Sequence, residues 1–77
     1  MNNKILKILA EVRPEYEFSE SSNFIVEGLL DSFDIVQLVT LLDTEFGVSI
    51  EGIDIIPENF SNIENIISLL NKNGVTK

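Results

Sequence analysis

The segment from Asp31 to Phe46 constrains the fold of this 77-residue chain more than any other, because its apolar residues follow a helical period. The apolar stripe of this segment comprises Val36, Val39, Leu42 and Phe46, with Leu38 beside it. Intervals of three and four residues place side chains on one face of an α-helix. Asp31 is a favourable N-cap, and Gly47 is a favourable residue for ending a helix. We therefore predict a helix over this segment with one buried face.

Two further helices are predicted near the ends of the chain. The first runs from Asn3 to Val12, before Pro14 ends it, and its buried face comprises Ile5, Ile8, Leu9 and Val12. The last helix follows a capping box over Ser61–Glu64 and closes at Asn73 and Gly74. Its predicted buried stripe comprises Ile63, Ile66, Ile67 and Leu70.

The stretch Pro14–Leu30 has no sustained period and is long for a connection inside a small domain. We expect an ordered crossing loop rather than a linker, because apolar side chains within it can contact the core. These side chains are Phe18, Phe24, Ile25 and Leu29.

A shorter connection precedes the last helix. One helical turn over Glu51–Ile55 would direct Ile53 and Ile56 inward, and Pro57 would break it. No segment shows the strict alternation of a strand. The chain is therefore predicted to be one domain over residues 1–77, an all-α bundle of three main helices and one short helix.

The composition excludes most catalytic chemistry, because the chain contains neither histidine nor cysteine. Nucleophilic sites built on Ser-His or Cys-His pairs and ordinary zinc sites need those side chains. No segment matches a calcium-binding loop or a glycine-rich phosphate loop. We therefore expect no enzymatic activity and no metal site.

The net charge of −8 is unevenly distributed. The five basic residues lie towards the ends, at Lys4, Lys7, Arg13, Lys72 and Lys77. An acidic body repels nucleic acid and anionic lipid, so we expect neither as a partner. Charge alone favours simple solubility, although it also suits proteins with basic surfaces. The chain has no apolar leader or membrane-length apolar run, and we expect a cytoplasmic monomer.

Ser32 follows Asp31 at the start of the predicted central helix, in the sequence Glu-Gly-Leu-Leu-Asp-Ser-Phe-Asp over 27–34. Alone, Asp-Ser is a cap followed by a tolerated first-turn residue. The helix after it carries an acidic pair before its closing Phe46, and Pro57–Ile63 leads into the last helix. With these three motifs, the chain resembles the acyl carrier protein family, which includes peptidyl and D-alanyl carriers. The resemblance extends over nearly the whole chain.

The resemblance implies a fold that runs up, down, down, with a long first loop and both termini opposite Ser32. It implies that a phosphopantetheinyl transferase attaches 4′-phosphopantetheine from coenzyme A to Ser32. A loading ligase would then place an acyl or aminoacyl group on its thiol, for downstream transferases. The positive end of a helix suits the attached phosphodiester. The basic residues would lie away from Ser32, so that the acidic helix faces basic partner surfaces.

Four residues beside Ser32 are candidates for partner recognition: Asp31, Phe33, Asp34 and Ile35. Ile35 is a candidate because it lies off the predicted Val36 stripe. For Phe33, packing against neighbouring elements is as well supported as partner contact. For Asp34, stabilisation of the first helical turn and recognition are supported equally.

The type of cargo stays open at the level of sequence. Phe33 stands where Leu or Met is commoner, and Gln37 stands where fatty-acid carriers usually have Glu; the Phe is similar to that of D-alanyl carriers. An acyl chain would lie in a space lined, or simply filled, by Ile53, Ile55, Ile56, Phe60 and Ile63. The alternatives are a D-alanyl carrier for modification of cell-wall polymers and, in a different class, a non-carrier acidic helical adaptor.

Overall fold

The computed structural model describes residues 2–75, which form three α-helices and three short 3₁₀ turns. The helices are α1 (Asn2–Val12), α2 (Ser32–Phe46) and α3 (Ile63–Lys72). The 3₁₀ turns cover Phe18–Glu20, Gly52–Asp54 and Pro57–Phe60. The predicted all-α fold is confirmed. None of the helices in this range combines the length and hydrophobicity needed to cross a membrane.

Ion pairs at both ends of α1 show that α1 and α2 are antiparallel. Arg13, directly after α1, donates from Nε to Asp34 Oδ2 at the start of α2 over 2.8 Å. At the other end, Lys4 Nζ lies 3.4 Å from Glu45 Oε2 near the end of α2. The prediction that the basic residues lie away from Ser32 is therefore wrong for Arg13. An antiparallel pair necessarily places the end of α1 beside the start of α2.

One apolar core joins the three helices and the long loop. Its fully enclosed side chains include Ile5, Leu9, Leu38, Leu42, Phe60, Ile66 and Leu70, each with no accessible surface. A side chain with no accessible surface adjoins no void large enough for water. The core is therefore closely filled, as protein interiors generally are.

The buried face of α2 differs from the predicted stripe by a rotation of the helix. Ile35 is 5% exposed and belongs to the core, whereas Val36 is 59% exposed. Both residues start a stripe that fits the helical period, because α2 is apolar around most of its circumference. The stripe that is buried begins at Ile35 and continues through Leu38, Val39 and Leu42. The sequence predicts Ile35 as a recognition residue on the premise that it lies off the buried stripe. That premise is wrong, because its side chain is part of the core.

The long connection between α1 and α2 is an ordered loop that crosses the core, as predicted. The rings of Phe18 and Phe24 are both buried and pack edge to face, with their centroids 5.1 Å apart. The Phe24 amide donates to the Ser61 carbonyl over 2.6 Å, which ties the loop to the residues before α3. The loop is thus fixed by both apolar and backbone contacts.

The second half of the chain departs from the predictions in two places. Ile53 is 80% exposed and Ile56 is also exposed, because the buried positions of this segment are occupied by Ile50, Asp54 and Phe60. The 3₁₀ turn there begins at Gly52, and Pro57 opens a second turn rather than ending the first.

The start of α3 lies one residue later than its predicted capping box. Asn62 is the N-cap, and its Oδ1 accepts from the Asn65 amide over 2.7 Å. Ser61 Oγ instead donates to the Glu58 carbonyl. The most deeply buried positions of α3 are Ile66, Leu69 and Leu70, and Asn73 caps its end.

The rotation of α2 predicts a large loss of stability at one position and almost none at the next. Ile35→Ala should lower the free energy of unfolding by about 2–5 kcal/mol, because it leaves a void in a filled core. Val36→Ala should change it by less than about 0.5 kcal/mol, since this side chain is exposed. Urea unfolding followed by circular dichroism measures both. Equal losses for the two variants would contradict the observed orientation of α2.

Candidate functional site

Ser32 is the first residue of α2 and is exposed to solvent. It follows Asp31, whose Oδ1 accepts from the Asp34 amide over 2.9 Å. In return, Asp34 Oδ2 accepts from the Asp31 amide over 3.2 Å. This reciprocal arrangement is a capping box, and it pairs groups that a helix start otherwise leaves unpaired. The predicted cap at Asp31 is confirmed, and its hydrogen bonds with Asp34 enclose Ser32 and Phe33 in the first turn of the helix.

The backbone before Ser32 reaches the helix through a turn that depends on glycine. Gly28 has a φ of +78°, in the left-handed region that L side chains rarely adopt. After it, the amides of Leu29 and Leu30 both donate to the Phe24 carbonyl, over 2.8 and 3.2 Å. Leu30 is buried. Ser32 is therefore presented between a fixed loop and a capped helix.

Asp34 is a buried acid, at 3% exposure, and its carboxylate lies inside a cluster of charges. Its Oδ2 accepts from Arg13 Nε as well as from the Asp31 amide. Arg13 Nη1 is also 3.2 Å from Glu15 Oε2, and its Nη2 is 3.6 Å from Asp31 Oδ2. A buried carboxylate needs such partners, because an unpaired charge in the interior is very unfavourable.

Hydrogen bonds shift the pKa values of two groups in this cluster, Asp31 and Arg13. The bond from the Asp34 amide lowers the pKa of the Asp31 carboxyl below its ordinary value, and the charge of Arg13 adds to the shift. The bond to the Asp34 carboxylate raises the pKa of Arg13 above its ordinary value. Both shifts favour the charged forms of Asp31 and Arg13.

The four recognition candidates fall into two groups. Asp31 and Phe33 are exposed beside Ser32, and Phe33 is 68% exposed. Asp34 and Ile35 are buried, so a partner reaches neither side chain without opening the first turn of α2. Phe33 is therefore not packed against neighbouring elements, and Asp34 has a structural role in the cap.

The acidic side chains of α2 make contacts within the chain. Asp43 Oδ1 accepts from the Ile50 amide over 3.1 Å, and Glu45 pairs with Lys4. Together with the Asp34–Arg13 pair, these contacts engage each acid within α2. The remaining exposed side chains of α2 beyond Ser32 are uncharged: Phe33, Val36, Gln37, Thr40 and Thr44.

Two features near Ser32 were absent from the sequence-based prediction, namely Arg13 beside the cap and the exposed Val36. A signal for Arg13 existed, since it directly follows the first helix while two acids begin the second. An antiparallel pair of helices brings those positions together. For the exposure of Val36 no such signal existed, because the stripe that begins at Ile35 and the stripe that begins at Val36 are both apolar.

The interior contains no preformed space along the enclosed side chains that could hold a long acyl chain. Leu38, Leu42 and Phe60 have no accessible surface and therefore adjoin no void. Of the residues considered as a lining, Ile53 and Ile56 face solvent, and Phe60 fills the core. A long acyl chain would have to displace these side chains.

Comparison with known proteins identifies a relative that spans most of the chain. The chain is 30% identical over 69 residues to a D-alanyl carrier protein of Bacillus velezensis. The alignment covers 87% of this chain and 88% of that protein. No protein-family model matches the chain. No solved structure matches it significantly.

Proposed function

The chain belongs to the acyl and D-alanyl carrier protein family, and from this premise we propose that Ser32 is the attachment point of its phosphopantetheine arm. The observation that carries the proposal is the exposed hydroxyl of Ser32, presented directly after the capped Asp31. When attached, the arm supplies the thiol that holds the cargo as a thioester. The chain's own contribution is presentation, which agrees with a non-catalytic carrier.

The residues around Ser32 fit a phosphodiester. The start of a helix carries a partial positive charge and amides directed outward, which stabilise an attached anion. The capping box holds the first turn in place, so the attached group would start from a fixed point. The charge of Asp34 is offset by Arg13 over 2.8 Å, which reduces repulsion between this carboxylate and a phosphodiester.

A small aminoacyl cargo is better supported than a long acyl chain, and we propose D-alanine. The relative that aligns with most of this chain is a D-alanyl carrier protein. A D-alanyl group needs no internal space, which agrees with the filled core around Leu38, Leu42 and Phe60. The partners would be a phosphopantetheinyl transferase, a ligase that activates D-alanine and an acyltransferase that receives it.

Partner enzymes would contact the exposed apolar side chains next to Ser32. Phe33 is directly adjacent to Ser32, and Val36 lies about one turn further along the helix. Both are largely exposed, and large exposed apolar side chains beside a working site mark contact surfaces. Since the acids of α2 already have partners within the chain, apolar burial would contribute more here than attraction to basic surfaces.

The attachment site is tested by mass. Purified protein incubated with coenzyme A and a broad-specificity phosphopantetheinyl transferase should gain the mass of one arm, measured on the intact protein. Ser32→Ala should gain none, because the hydroxyl is missing. Ser49→Ala, which changes another exposed serine, should gain the arm normally. The proposal fails if the wild type gains no mass or if Ser32→Ala does.

The cargo is tested on the arm-carrying protein. With ATP and a D-alanine-activating ligase, it should accept D-alanine. Octanoyl loading should leave the thermal unfolding midpoint within about 2 °C, because no internal space receives the chain. Burying even two methylenes would stabilise by roughly 1.6 kcal/mol, which shifts the midpoint of a small domain by several degrees. Such a rise on octanoylation would point to a fatty-acyl carrier instead.

The contact surface is tested by substitution of Phe33. Phe33→Ser should raise the KM of the transferase for the carrier about ten- to a hundred-fold, because apolar burial worth roughly 1.5–3 kcal/mol is lost. Thr44→Ser, at the far end of the exposed face of α2, is the matched control and should leave KM unchanged. Raising the salt concentration should have a small effect on the wild type. A steep salt dependence together with an unaffected Phe33→Ser would favour charge-based docking.

A further inference from the structure

Arg13 stands apart from the other basic residues because of its position. In the range 2–75, the ion pairs of Lys4 and Lys72 are made to Glu45 and Asp54. Arg13 alone among the basic residues of this range pairs with the acids that flank Ser32. Its side chain is about one third exposed, so part of the guanidinium reaches solvent at this end of α2.

The contacts of Arg13 involve both halves of the capping box. Nε donates to Asp34 Oδ2, the same oxygen that accepts the Asp31 amide. Nη2 lies 3.6 Å from Asp31 Oδ2. Asp31 and Asp34 are one residue before and two residues after Ser32. Nε makes a hydrogen bond to Asp34, whereas the contact with Asp31 is an ion pair at 3.6 Å, beyond hydrogen-bond distance. The planar guanidinium reaches the two acids from two different nitrogens, which a single lysine ammonium does not reproduce.

We propose that Arg13 is a positioning residue for attachment of the arm to Ser32. By bridging Asp31 and Asp34, it holds the first turn of α2 so that the Ser32 hydroxyl is presented in one orientation. The inference rests on the proposed function for its kinetic consequence, whereas the fixed first turn is a property of the chain itself.

The orientation of Ser32 matters because of the geometry of the reaction. The Ser32 oxygen forms a bond to the phosphorus that bears pantetheine in coenzyme A, and the bond between that phosphorus and the bridging oxygen of the pyrophosphate breaks. Adenosine bisphosphate leaves with that bonding pair, and the hydroxyl proton passes to a base of the transferase or to water. Small misplacement of a reacting group lowers the rate of such a step strongly.

A purely structural role for Arg13 makes a different prediction. If Arg13 only neutralises the buried Asp34, then removing both charges should restore everything that Arg13→Gln loses. If Arg13 also holds Asp31, then the turn stays loose when both charges are absent. The double variant Arg13→Gln/Asp34→Asn separates these roles when it is compared with Asp34→Asn alone.

The experiment measures kcat and KM of the transferase for each carrier variant, at a temperature where circular dichroism shows all variants to be folded. Arg13→Gln should lower kcat about ten-fold, with KM changed by less than about two-fold. Arg13→Lys should recover only part of the loss. Lys4→Gln, which removes the same charge at the opposite end of α1, should match the wild type.

The decisive comparison is between the double variant and Asp34→Asn. We expect the double variant to unfold at a higher urea concentration than Arg13→Gln, yet to have a kcat about five-fold below that of Asp34→Asn. Equal kcat values for the double variant and Asp34→Asn would overturn the proposal. Full recovery of kcat by Arg13→Lys would also overturn it, since a positive charge without the planar guanidinium would then be enough to position Ser32.

A second measurement does not depend on the arm. Amide hydrogen exchange over residues 31–35 should be faster in the double variant than in Asp34→Asn, while Lys4→Gln should exchange as the wild type does. Unchanged exchange would overturn the proposal. A wild type that accepts no arm would refute the proposed function, and the exchange comparison would still decide whether Arg13 holds the turn.

Discussion

The ion pair between Arg13 and the buried carboxylate of Asp34 is the contact on which the arrangement around Ser32 depends. Asp34 is 3% exposed and accepts from both Arg13 and the Asp31 amide. A carboxylate enters the interior only when its charge and its hydrogen-bonding capacity are satisfied. The pair therefore links the end of α1 to the start of α2, where Ser32 and Phe33 lie exposed between the two capping acids.

The same constraint accounts for the orientation of α2. With Asp34 directed inward towards Arg13, the neighbouring Ile35 enters the core, and Phe33 and Val36 are left in solvent. The apolar surface near Ser32 is thus a consequence of where one acid is buried. Phe33 and Val36 thus form exposed uncharged positions on a protein whose overall charge is −8.

The structure agrees with the proposed presentation of Ser32 by a carrier protein. The capped helix start and the turn at Gly28 fix the position of Ser32 from both sides. The core offers no void beside its enclosed side chains, which suits a cargo that stays outside. These two properties are independent, since one concerns the end of a helix and the other concerns packing in the interior.

The sequence by itself determined the three helices, the ordered loop, the cap at Asp31 and the family, because each depends on local pattern or on residues adjacent in the chain. The choice between Ile35 and Val36 as the buried residue was decided only by the tertiary structure. Both stripes of α2 are apolar, so the local period supports either. The outward position of Ile53 and the pairing of Arg13 with Asp34 likewise depend on elements distant in sequence. Burial and ion pairing are decided by which elements pack together, and that is the part of this molecule that its local sequence patterns left open.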